Sequence, residues 1–275
     1  MKTPCSALLV ALGLAYGGQA AAYLIDDRAS APQRYHGGNG HGWGDVVGAP
    51  ATFDILGADM SLAGSVLTVD IYTNLVGNAG VFAPYTRHGN GIGYGDLFLA
   101  NTWSPFGLPN HDQDDHASGT VWQYALSLDG DRWANADYAD SATLYALSGS
   151  NDDSALLSDD LMQGNAVWRN GQEVLVDRDA TDAATAIGSG SYSVSADHNR
   201  IRYVVDISGT DLWWQPGQNE LTLAMHWAMD CANDTIEGAA VFFDPPPNTG
   251  VPEPATLGLA LLGIAGAGRL RRRRA

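Results

Sequence analysis

Between Glu220 and Met229 the chain alternates without a break: Leu221, Leu223, Met225, Trp227 and Met229 oppose Glu220, Thr222, Ala224, His226 and Ala228. A period of two places one set on each face of a strand, and no helix presents that spacing as a single apolar stripe. The same period recurs in Ser65–Asn74, where Leu67, Val69 and Ile71 oppose Thr68, Asp70 and Tyr72. In Thr120–Leu128 it puts Trp122, Tyr124, Leu126 and Leu128 on one side, and in Arg200–Ile207 it does so for Ile201, Tyr203 and Val205. Shorter candidates are Asp96–Ala100, Thr143–Leu147, Gln172–Val176, Ser191–Ser195 and Glu237–Phe243, with turn signals such as Asp129-Gly130 and Asn170-Gly171 between segments. About nine short strands with polar turns predict an all-β fold, an antiparallel β-sandwich of jelly-roll type. Ser154–Gln163 is expected to be a short helix capped by Ser154, with Leu156, Leu157, Leu161 and Met162 facing inward. No repeat of roughly 20–50 residues is visible, which argues against a solenoid or propeller.

Charge narrows the function. Between Tyr23 and Gly250 there are 8 Arg and no Lys against 30 acidic residues, a net charge of −22. Such a surface repels phosphate backbones, so nucleic acid is excluded as a partner. Only Glu173, Glu220 and Glu237 in that stretch are glutamate.

Both ends read as addresses. Met1–Ala22 has the pattern of a secretory signal peptide: Lys2, a short apolar stretch Ala7–Tyr16, and a small-residue cleavage site at Ala20-Ala21-Ala22. Cleavage by signal peptidase removes Cys5 and leaves Cys231 alone, so no disulfide within the chain is expected. A β domain over 23–243 is then followed by a proline-rich spacer, 244–250, and a tail, 251–275. The tail has three parts in order: Pro252-Glu253-Pro254, the uncharged run Ala255–Gly268, and Arg269, Arg271, Arg272, Arg273 and Arg274. As a helix the apolar run spans roughly 21 Å, short for a hydrocarbon core of ~30 Å, and the arginines would remain cytoplasmic. A segment briefly held and then cut away suits this length better than a permanent anchor.

Those three features resemble the PEP-CTERM sorting tail of exported proteins of Gram-negative bacteria. The resemblance implies that an exosortase, a membrane protease-transferase, recognises Pro252, Glu253 and Pro254. It would then remove the tail and pass the protein to the cell surface or extracellular matrix. It also implies that 255–268 is a transmembrane helix in the precursor and Arg269–Arg274 the cytoplasmic stop. The pattern His226-Trp-x-Met-x-Cys-x-Asn-Asp-x-Ile-Glu-Gly is similar to the closing motif of some exosortase-dependent surface proteins, and that similarity implies no particular chemistry.

Two acidic groups are candidate calcium sites. Asp112, Asp114 and Asp115, in His111-Asp-Gln-Asp-Asp-His116, could supply some of the six to eight oxygens calcium takes. Their spacing does not match an EF-hand loop. Against this stands a plain solvated acidic loop, and the two histidines would instead favour zinc or copper. Asp230, Asp234 and Glu237 form the second group, where Asn and Asp could equally be making turns. His36, His41 and Asp45 lie in a Gly-rich stretch that reads as a polar loop. Catalytic signals are weak: Gly-x-Ser-x-Gly and His-Glu-x-x-His are absent, and Glu173 and Glu237 stand out only because glutamate is scarce. Trp213 and Trp214 are neighbours, so in an extended segment one could be exposed to stack on a sugar ring. The sequence therefore predicts a non-catalytic surface or matrix protein that binds or organises exopolysaccharide or envelope material. Two alternatives stand beside it: a secreted polysaccharide hydrolase, and a calcium-stabilised structural protein.

Overall fold

The computed structural model describes residues 21–26, 46–106, 114–148, 151–164 and 169–243. The chain divides into two units, Met1–Phe242 and Phe243–Ala275, and of the second only Phe243 falls among these residues. The leader, the spacer and the tail segments named above therefore lie outside the described residues, apart from Ala21 and Ala22. Among the described residues no helix is long and apolar enough to cross a membrane.

Among the described residues there are twelve strands: β1 (Ala21–Ile25), β2 (Ile55–Ala63), β3 (Val66–Thr73), β4 (Leu97–Ala100), β5 (Tyr124–Leu128), β6 (Tyr138–Leu147), β7 (Ala155–Leu157), β8 (Glu173–Val176), β9 (Ala184–Ser195), β10 (Arg200–Asp206), β11 (Glu220–Ala228) and β12 (Thr235–Phe243). Ten of them form one antiparallel sheet in the order β1-β2-β3-β10-β9-β6-β5-β4-β11-β12, and β7 pairs with β8 in a separate two-stranded sheet. The all-β class holds. The division into two facing sheets does not, because hydrogen bonding runs unbroken from β1 to β12.

The sheet instead curls until it is nearly a barrel. One core cluster collects the inward residues of all ten strands, from Ile25 and Met60 through Val69, Tyr203, Tyr192, Leu144, Leu126 and Leu99 to Trp227 and Phe242. The two edge strands meet at a seam: a Cβ added at Gly238 of β12 would stand 2.7 Å from the Ile25 side chain of β1. Bulges between Leu144 and Tyr145 of β6 and between Ile55 and Gly57 of β2 supply bends of the kind that closing a sheet requires. Inside, Tyr203 and Trp227 are fully buried. Their polar ends are satisfied there: Tyr203 Oη donates to Gly95 O at 2.7 Å, and Trp227 Nε1 donates to Tyr203 Oη at 2.8 Å.

The outer face of β4, β5 and β11 is covered as well. Phe98, Ala100, Ala125 and Ala224 pack beneath Ala155, Val176, Ala184 and Trp122, while Ala228 packs with Leu161, Val174 and Ala232. This second layer is built partly from the segment expected to be a helix. There, single helical turns at Asn151–Ser154 and Ser158–Leu161 flank the strand β7. Pairing of Ala155 with Val176 and Leu156 with Leu175 overrides the helical spacing, and Leu157, Leu161 and Met162 are still buried. Trp122 precedes β5, which begins only at Tyr124, and it packs in the outer layer rather than with Leu126 and Leu128.

Every described arginine is engaged by an acid or a carbonyl. Arg202 grips Asp70 through two bonds of 2.6 Å, Arg178 meets Asp129, Arg132 meets Asp96, Arg169 meets Asp234, Arg200 lies 3.7 Å from Asp70, and Arg87 donates to Met162 O and Asp159 O. Acids far outnumber these arginines, so screening should matter. The melting temperature is expected to rise between 10 mM and 500 mM NaCl as the Debye length shrinks from about 30 Å to a few ångströms. Superimposable melting curves across that range would contradict this account.

Candidate functional site

Two features stand out: a sealed polar cluster and an open aromatic cavity. The cluster lies between the main sheet and the outer layer. His226 projects from the outer face of β11, Glu173 begins β8, Glu237 lies in β12, and Asp114 opens the segment before β5. All four are buried, at 1%, 3%, 6% and 9% exposure respectively. His226 Nε2 lies 2.8 Å from Glu173 O; a carbonyl only accepts, so Nε2 carries the proton. Nδ1 faces Glu237 Oε1 at 3.6 Å, and the ring is flanked by Trp122 and Phe98 at 5.6 and 6.0 Å. Burial lowers the pKa of His226, which keeps it neutral.

The Asp114 and Glu237 carboxyls are in hydrogen-bonding contact, which two bare carboxylates cannot make. Asp114 Oδ2 and Glu237 Oε2 are buried and make no well-formed hydrogen bond, with the Trp103 indole beside Glu237, so a shared proton fits the space. Burial first, and then this contact, pushes Asp114 up to about 9; burial raises Glu173 and Glu237 to about 7 each. Gly119 leaves room for the arrangement. It has φ +124°, and a Cβ there would fall 1.8 Å from Asp114 Oδ1. Phe106 N–H donates to Asp114 Oδ1 at 2.7 Å, and Gln172 Nε2 donates to Asp114 O, so the acid ties its loop to β8 and β12.

The two acidic groups read from the sequence therefore join through one pair only, Asp114 with Glu237. Asp112 lies outside the described residues. Asp115 closes a local turn with Ala117 N–H. Asp230 accepts from Gly93 N–H at 2.9 Å and faces His88 Nε2 at 3.3 Å. Asp234 accepts from Ile55 N–H at 2.7 Å and lies 3.6 Å from Arg169. Among the described residues no three His, Cys, Asp or Glu side chains are arranged to hold a metal ion. Trp213 and Trp214 are half-buried against the core between β10 and β11.

The cavity was not read from the sequence. It is open, has a volume of about 640 Å³, and carries no charged residue in its lining. Phe53, Phe82, Tyr85, Ile92 and Met162 form its walls, and Cys231 and Asn233 contribute from the β11–β12 connection. Phe82 and Tyr85 are more than half exposed, with ring centroids 6.3 Å apart, and Phe53 lies 5.9 Å from Phe82. Burial drives the Cys231 thiol far above its usual range, so it stays neutral and unreactive. A cluster of Val81, Phe82, Pro84 and Tyr85 in a glycine-flanked loop was the available signal for this cavity.

The described residues form an all-β domain with a sealed polar layer and an open aromatic hollow, and the C-terminal residues bear on where it goes. Residues 250–274 match the PEP-CTERM protein-sorting motif, which supports an exosortase-sorted protein, exported to the cell surface. No curated protein and no solved structure matches the chain.

Proposed function

We propose that the exported domain is a non-catalytic surface protein that binds or organises exopolysaccharide or envelope material after signal peptidase and exosortase have trimmed its ends. The carrying observation is that the open cavity is aromatic and uncharged, while Glu173 and Glu237 lie sealed beneath the outer layer. A hydrolase of polysaccharide needs two carboxyls facing its substrate across roughly 5–10 Å of open cleft. The exposed rings of Phe82 and Tyr85 offer sugars a stacking surface instead, and the half-buried Trp213 and Trp214 offer a second, smaller one.

Residues 23–250, applied to a glycan array with and without calcium, test the reading. Binding that Tyr85→Ala weakens about tenfold is the expected result, since stacked aromatics supply roughly 1 kcal/mol or more. Release of shortened oligosaccharides would replace this reading with hydrolysis. A melting temperature several degrees lower in chelator would support the calcium-stabilised alternative.

A further inference from the structure

Phe82 is held in an unusual way for an aromatic residue. Its backbone is left-handed, φ 58° and ψ 32°, a region that side chains with a Cβ rarely enter. Strain of this kind persists only where surroundings impose it, and it concentrates at binding sites. Burial does not explain it here, because the Phe82 ring is 51% exposed at the cavity mouth. A second observation comes from Asn233, which lines the cavity, is 7% exposed, and whose Oδ1 has no hydrogen-bond partner. A buried amide oxygen left without a donor is an unmet demand that a ligand's O–H or N–H would meet.

Charge decides the rest of the ligand's character. None of the lining residues is cationic, and the domain around them carries a net −22, so an anionic head such as a carboxylate or phosphate meets only repulsion. The walls are aromatic and aliphatic, and the volume lies within the range of small-molecule sites. Cys231 stays a neutral thiol and offers no covalent chemistry.

The geometry points to a binding site for a neutral amphiphile: an aliphatic or aromatic body against Phe53, Phe82, Tyr85 and Met162, and one hydroxyl or amide hydrogen that satisfies Asn233. This rests on reading the cavity as a binding site, but not on polysaccharide being what it binds.

Titration calorimetry of the full chain with 1-octanol, octyl methyl ether and octanoate tests the site. Octanol is expected to bind, with the ether at least about fivefold weaker for want of a donor, and octanoate weaker again. Asn233→Leu should bring octanol and the ether level. Phe82→Gly should keep the melting temperature or raise it, because glycine suits φ 58°, while weakening octanol about tenfold. Ala49→Trp, at an exposed position on the rim, should block entry without unfolding the domain. No binding of octanol to the unmodified chain would overturn the proposal. So would octanoate outcompeting octanol, or a Phe82→Gly protein that is folded and binds unchanged. These results are independent of the glycan array: octanol binding without glycan binding would sink only the polysaccharide reading, and the converse only this one.

Discussion

Raising the pH from 6.5 to 9 is expected to lower the melting temperature by about 5 °C or more, the reverse of what surface carboxylates usually produce. Asp114 at about 9, and Glu173 and Glu237 at about 7, hold protons in the folded state that the unfolded chain, with ordinary carboxyls near 4, has already released. Where the folded state binds more protons, stability falls as pH rises. These acids contribute fully below about pH 4 and progressively less up to about pH 9. His226 acts in the opposite sense: its lowered pKa makes the unfolded chain the better proton acceptor below about pH 6.5, so its own contribution falls in acid. Three acids outweigh one histidine, so from about pH 4 to pH 9 these groups together lower stability as the pH rises. Calorimetric scans from pH 4 to 9 check this, and Asp114→Asn should flatten the alkaline limb. A melting temperature that climbs steadily to pH 9 would rule out the shared proton.

Asp96→Ala should be the most damaging of the single substitutions named here, costing about 3–5 kcal/mol, read as a drop in urea midpoint at unchanged slope. Asp96 is fully buried just before β4. It accepts from Leu128 N–H at the end of β5 and from Val176 N–H at the end of β8, and Arg132 lies 3.4 Å away. One carboxylate thus pins the outer two-stranded sheet to the main one. Removing it leaves two backbone donors without their acceptor and takes the carboxylate from a largely buried guanidinium that keeps only its bond to Tyr94 O, whereas Asp96→Asn keeps one oxygen and should cost less. A midpoint within experimental error of the parent would show that the outer layer docks by apolar packing alone.

Strands with unbroken alternation were legible because their packing is local to the pattern. β11, β10 and β3 fall where Leu223, Tyr203 and Val69 said they would. β2 was not legible, and its bulge explains why: the register shifts between Ile55 and Gly57, so Ile55 and Ala58 both face inward and the period of two is broken. β7 was hidden because Leu157, Leu161 and Met162 fit a helix equally well, and only β8 arbitrates. The candidate site was visible in fragments. Asp114 and Glu237 each stand in an acidic group of the sequence, but 123 positions separate them and no spacing rule joins them. The outer face of β11 carries a further signal in the sequence. Ala224, His226 and Ala228 are too small and too sparsely charged for a face bathed in water, and the structure covers all three. The cavity draws on four separate stretches of chain, and nothing in their sequences announces that they converge.

The seam has a consequence for trimming. Ala21 and Ala22 of β1 pair with Leu62 and Ser61 of β2, yet a leader cut after Ala22 takes both away. The trimmed product would then keep only Tyr23, Leu24 and Ile25 of β1, so the edge where the rolled sheet meets itself would be shorter than in the precursor. Of the adjacent amides of Ser61 and Leu62, the one that faces β1 should exchange slowly in the uncut chain and fast after trimming, while the one that faces β3 stays protected.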